Sequence, residues 1–320
     1  MNFQPGMIKT IEAAAKDVLA WPMHRQWSAN RKKNVFRSLF GCLPTIVAEL
    51  WQRILNIDGA DEEKTVEQMK ATHKHLLYAL CFLKVYGVNE MVHCSIMNWP
   101  DEETFRKYSW FFIKKLWYLQ DSLIIFDDRF AGQDQDLDNI SQQCMMSVDC
   151  LDCAVREPGT RMSQWDQSMY SEKHNGPGFK YEVGVCIKTG FMVWVNGPYK
   201  AATHDKPLFE DALEKRLLPW ELVEGDKGYR GNIKVRCPDS GITTQERRDK
   251  MVVRARHEAV NGRLREFNVI SCIFHHATGG YEDMKNKHAY CFGAVATITQ
   301  LKLLRGETNT FQVTYTAQYA

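Results

Sequence analysis

The sequence predicts an α/β protein, with a helical N-terminal part followed by a mixed sheet flanked by helices. Three observations predict it. Apolar residues in the first part recur at helical spacing, as at Leu76, Leu80 and Leu83. A polar, turn-rich stretch, AGQDQDLDNISQQ at 131–143, then interrupts the pattern. Beyond it, runs such as CMMSVDC, YEVGVCIKTG and FMVWVNGPYK carry the β-branched and aromatic residues of strands. The interruption is the expected boundary, giving a helical domain over 1–138 and an α/β domain over 139–320.

Composition supports a packed protein. Hydrophobic residues make up 44% of the chain and charged residues 25%, which excludes general disorder. With 41 basic and 39 acidic residues the net charge is only +2. A nucleic-acid binder of this composition must therefore cluster its Lys and Arg on one face. The N-terminal stretch MNFQPGMIKTIEAAAKDVLAW is interrupted by Lys9 and Lys16, so no signal peptide is expected. No apolar run approaches the length of a membrane span. Ten cysteines lie scattered and read as free thiols of a reducing compartment. Cys150 and Cys153 have CxxC spacing, but a zinc site would need a second pair or spaced histidines, and His275 and His276 are adjacent. They read as two small residues beside Asp149.

In the helical part, Gly87 offers a stop after the Leu76–Leu83 repeat. A second helix opens after Pro100, with Asp101, Glu102 and Glu103 in its first turn to suit the helix dipole. Its apolar stripe is Phe105, Phe112, Leu116 and Leu119. At 33–56, KNVFRSLFGCLPTIVAELWQRILN, a Gly-Cys-Leu-Pro break separates two short apolar helices. Both a helix-turn-helix and an ordinary packed helix pair fit this segment.

In the second part, the YEVGVCIKTG and FMVWVNGPYK strands join at Lys188-Thr189-Gly190 as a hairpin. A helix follows at DKPLFEDALEKRL, with Phe209, Leu213 and Leu217 on one face. ELVEGD is a fourth strand, and the basic helix VRARHEAVNGRLREF comes after it. Three strands, a helix, another strand and further helices is the element order of a ribonuclease-H-like domain. There the first and fourth strands lie side by side, which brings together Asp149 and Asp226 at their ends.

These aspartates and Glu258 on the basic helix form an ordered trio of acids. Hard divalent cations such as Mg²⁺ or Mn²⁺ take carboxylate oxygens and keep waters for a substrate phosphate. Two such ions stabilise the attacking and leaving oxygens of an in-line displacement. Taken singly, Asp149 and Asp226 also read as turn residues, and Glu258 as half of an exposed pair with Arg254. Arg254, Glu258, Asn261 and Arg265 share one helix face by spacing, opposite Val260, Leu264 and Phe267.

The words around the acids resemble the DDE transposases of the PIF/Harbinger kind. SVDCLDCAVREP resembles their first-aspartate strand, and NGPGFKYEV with VWVNGPYKAATHD the two strands that follow. EGDKGYRG resembles the second-aspartate motif, and RARHEAVNGRLREF the third-acid helix. The likeness runs over about 140–310, and more loosely over RKKNVFRSLFG and DEETFRKYSWFFIKKL. It implies a metal-dependent DNA endonuclease and strand transferase with Asp149, Asp226 and Glu258 as catalytic metal ligands. A nuclear site of action and a separate Myb-like DNA-binding partner are also implied, and self-association fits the reading.

Other residues compete for roles near these ligands. Asp152 lies three positions beyond Asp149. Asp205 reads first as a helix cap and next as a support for the ligands. His204 and His257 are further candidates for that support. Arg254, Arg256, Arg263 and Arg265 belong to the densest basic segment and are the expected DNA-backbone contacts. Two other functions stay open: a transposase-derived DNA-binding or adaptor protein without catalysis, and a metal-free hydrolase with paired carboxylates that would keep its activity in EDTA.

Overall fold

A computed structural model describes residues 5–19, 28–59, 64–131, 144–156, 166–237, 244–276 and 279–307. All but the first residue of the expected boundary stretch 131–143 lies outside the described residues, as do the side chains of Arg247, Arg248 and Lys250. The described residues form two compact units. One is drawn from 1–123, 264–274 and 287–307, the other from 124–263 and 275–286. The chain therefore returns to the first unit after the sheet. The described helices include none long and apolar enough to cross a membrane.

The first unit is helical. Its elements are α1 (Pro5–Val18), α2 (Ala29–Phe40), α3 (Pro44–Ile57), α4 (His73–Val85), α5 (Glu90–Ile96), α6 (Glu102–Tyr118) and α7 (Gln120–Leu123). Three residues join α2 to α3, and Gly41 among them has φ +76°, a conformation that glycine adopts without a Cβ penalty. Thr72 caps α4, and its N–H donates to His75 Nδ1 at 3.0 Å. It buries Leu76, Leu80 and Leu83 completely, and Gly87 just beyond it has φ +98°. Asp101 caps α6, its carboxylate accepting the Thr104 N–H at 2.8 Å. The expected stripe of Phe105, Phe112, Leu116 and Leu119 is buried.

The second unit is a mixed sheet with helices. Its strands are β1 (Cys144–Ala154), β2 (Tyr170–Ser171), β3 (Gly176–Cys186), β4 (Met192–Lys200), β5 (Leu222–Gly225) and β6 (Val235–Arg236). The main order is β4-β3-β1-β5-β6, with β2 paired to the start of β3. Strand β1 runs antiparallel to β3 and parallel to β5, and β6 continues the parallel side. Side chains alternate along β1. Met146, Val148 and Cys150 join Leu208, Phe209, Leu213, Val223 and Tyr229 in one core cluster. Ser147 and Asp149 point the other way.

Two sequence expectations change here. Asp149 is not at the exit of a strand, because β1 continues through Asp152 to Ala154, held by antiparallel pairing as far as Gly178. It stands instead where the parallel pairing with β5 stops, at Val148 opposite Gly225. The helix expected over DKPLFEDALEKRL is shorter: α8 spans Asp205–Asp211, and a 3-10 turn covers Glu214–Arg216. Of the remaining helices, α9 (Thr244–Leu264) belongs almost wholly to this unit, while α10 (Asn268–Ser271) and all but the start of α11 (Tyr281–Leu304) belong to the first.

Candidate active site

Asp149 and Asp226 reach each other through strand register. The last parallel couple is Val148 opposite Gly225, so the next residue on each strand is an aspartate. Glu258 comes from α9. All three line one cavity of about 440 Å³ in the second unit, together with Ser147, Lys173, Glu224 and Arg254.

Each acid is held differently. Asp149 accepts a hydrogen bond from Asn261 Nδ2 on α9 at 3.1 Å, and its other oxygen accepts the Cys150 N–H. Burial, reinforced by the charge of Asp226, pushes its carboxyl up to about 6, with Glu258 adding a smaller push and Lys173 opposing it. Asp226 is fixed by its own turn, with Oδ1 accepting the Gly228 N–H at 2.7 Å. Glu258 is exposed and stands 4.0 Å from Arg254, an i,i+4 pair too open to contribute much stability. Between them the chain supplies an oxygen-only set of ligands whose charges repel. That chemistry fits divalent cations, which would relieve the repulsion that adds to burial in raising the Asp149 pKa. Among the described residues no three such side chains close on a single point.

The four residues considered as supports for the ligands take different places. His257 is buried, and its Nδ1 lies 2.8 Å from Ser147 Oγ, two residues before Asp149 on the same face of β1. Burial pushes its imidazole down to about 3, so it is neutral at physiological pH. Asp205 is not a cap. His204 occupies the N-cap position without a side-chain bond and is exposed, while the Asp205 carboxylate pairs with Lys180 Nζ at 2.7 Å. Asp205 also backs the Asp226 turn, since a Cβ on Gly228 would overlap Asp205 Oδ2 and stand 3.0 Å from Asp226 Oδ1. Asp152 faces away from Asp149, buried, and accepts a hydrogen bond from Ser171 Oγ at 2.7 Å.

The basic segment divides sharply. Arg254 is exposed at the cavity. Arg256 is buried and donates to the carbonyls of Ile187 and Lys188, bracing the β3–β4 connection. Arg263 is half-buried, and Arg265 lies past the end of α9, exposed, in the first unit.

Sequence reasoning passed over Ser147, Lys173, Glu224 and the inward role of Asn261. Alternation carried a signal for two of them: Ser147 and Glu224 each lie two residues before a trio aspartate and share its side of the strand. Glu224 is buried, with Arg236 Nε 3.7 Å away.

Residues 148–300, which contain the whole trio, match the family model of the DDE superfamily endonucleases. No curated protein and no solved structure matches the chain. The matched family is one of nucleases and transposases that generally use divalent metals and act on DNA.

Proposed function

We propose that this protein is a transposase-type DNA endonuclease of the Harbinger branch, built on a ribonuclease-H-like domain, which cuts DNA and joins it to new ends. The observation that carries the reading is the register of β1 and β5, which sets Asp149 beside Asp226 in a cavity that Glu258 also lines. The strand order β4-β3-β1-β5-β6, with β1 and β5 parallel, supports the ribonuclease-H-like assignment. Asp149, Asp226 and Glu258 would hold two Mg²⁺ or Mn²⁺ ions. Bound there, such ions supply a water or 3′-hydroxyl nucleophile at neutral pH and stabilise the leaving oxygen. Asn261 orients Asp149 by its hydrogen bond, and the buried His257 fixes Ser147 beside it. Arg254 offers a phosphate contact at the cavity. We further assign action in the nucleus, a separate Myb-like partner for sequence recognition, and the α2–α3 pair as a second DNA-reading element.

The test is cleavage of DNA carrying the element's terminal inverted repeats, with Mg²⁺, by the wild type and by Asp149→Ala, Asp226→Ala and Glu258→Ala. Each variant should stay folded and lose cleavage by a factor of 1,000 or more, about 4 kcal/mol of transition-state stabilisation. A folded variant that cuts at the wild-type rate would remove its residue from the site. A wild type that binds DNA and never cuts it would make the protein an adaptor.

A further inference from the structure

The hairpin between β2 and β3, residues 170–176, is fastened to β1 at several points. Ser171 Oγ donates to Asp152 Oδ2 at 2.7 Å, and His174 Nε2 lies 3.0 Å from the Asp152 carbonyl. Within the turn, Asn175 adopts φ +50°, uncommon for a residue with a side chain, and its Oδ1 accepts the Tyr170 hydroxyl at 2.5 Å. The fastened residues flank Lys173. Its side chain lines the acid cavity, where Nζ makes a long hydrogen bond of 3.4 Å to the Cys150 carbonyl, the peptide next to Asp149. Lys173 is exposed and, among the described residues, has no carboxylate as an ion-pair partner. Arg254, the other cation of the cavity wall, is matched with Glu258.

A lysine carried to the rim of an acidic cavity on a pinned turn, yet paired with none of the acids, is suited to an anion that arrives from outside. Its charge would be poorly placed once divalent ions had neutralised the acids, unless a negative group came with the substrate. The substrate of the nuclease reading, on which this inference rests, brings such a group in every phosphodiester. Asp152 then has a reason to be buried on the far side of the strand from Asp149: it anchors the turn that presents the cation.

We propose that Lys173 is the residue that meets a DNA backbone phosphate at the mouth of the acid cavity, and that Asp152 and Ser171 are positioning residues that hold its hairpin in place. Arginine should serve in its stead, since either cation can contact a phosphate, while glutamine should not.

The experiment measures binding of a short duplex by fluorescence anisotropy, in Ca²⁺ to suppress cutting, across a salt series. Lys173→Gln should weaken binding about tenfold at low salt and reduce the slope of log K against log salt by about 0.9, the share of one phosphate contact. Lys173→Arg should restore both. Asp152→Asn and Ser171→Ala should weaken binding less, and should add nothing in the Lys173→Gln background, because they act only through that side chain. Equal slopes and affinities for wild type and Lys173→Gln would overturn the proposal, as would a wild type that binds no duplex in Ca²⁺. Cleavage in Mg²⁺ is read separately. If binding depends on Lys173 and no cutting occurs, the nuclease reading fails while this contact stands.

Discussion

The raised carboxyl of Asp149 makes the cavity's metal chemistry measurable without any DNA. In the unfolded chain this group titrates near the ordinary 3.8, whereas in the folded protein burial and the charges of Asp226 and Glu258 hold it to about 6. A raised acid pKa makes the folded state bind its proton more tightly. Its stabilising effect is fully present below 3.8 and is lost as pH rises through 6. By pH 8 the whole penalty of a buried, crowded carboxylate is in force. Two pKa steps correspond to about 3 kcal/mol. Asp149→Asn keeps an oxygen to accept from Asn261 and removes the charge. In EDTA at pH 8 it should therefore be more stable than wild type by up to about 3 kcal/mol, roughly 5 °C in Tm for a chain of this size. At pH 4 the two proteins should melt together. Adding Mg²⁺ should raise the wild-type Tm at pH 8, because the ion binds only the folded site and stabilises it by about 2.7 kcal/mol at a hundredfold excess over its Kd. Asp149→Asn should gain little. Scanning calorimetry at pH 4, 6 and 8, with and without Mg²⁺, reads all of this. A Tm difference between the two proteins that does not change with pH, or an equal Mg²⁺ shift in both, would refute the account of Asp149 as a crowded acid and shared ligand.

Other outcomes follow from single contacts. Arg254→Ala should lower the salt slope of duplex binding by about 0.9, whereas Arg256→Ala should leave the slope unchanged and cost about 2 kcal/mol in denaturant melts, having orphaned the Ile187 and Lys188 carbonyls. Glu182 is fully buried on β3, and burial pushes it up to about 7 although Trp194 Nε1 donates to it at 2.8 Å. Glu182→Gln should stabilise the protein by about 3 kcal/mol at pH 8 and by nothing at pH 4, and a gain that persists at pH 4 would point to packing instead. Asn261→Ala should keep the fold by circular dichroism but weaken Mg²⁺ binding several-fold in calorimetric titration, with Asn261→Asp failing to rescue it because it adds a further acid beside Asp149.

What the sequence disclosed about the site, and what it withheld, divides along the distance between contacting residues. Strand runs, caps and stripes depend on neighbours a few positions away, and α4, α6, β1, β3, β4 and β5 all stand where those patterns put them. The trio could be suspected because its acids carry local words and because element order alone brings β1 against β5. Helix α9 shows where such reading stops. Spacing grouped Arg254, Glu258, Asn261 and Arg265 as one polar face, and polar faces usually meet water. The structure instead buries Asn261 against Asp149, 112 positions earlier, and leaves Arg254 and Glu258 exposed on the same helix. Arg256 looked like its basic neighbours, and only the hairpin carbonyls at 187 and 188 give it a different task. Asp205 beside a helix start suggested a cap, yet its partner is Lys180 on β3. In each case the residue type was legible and its partner was not, because the partner comes from another element whose register only the folded sheet fixes. The residues most exposed to misreading are therefore those whose partners lie on a different element, as Asn261, Arg256 and Asp205 do.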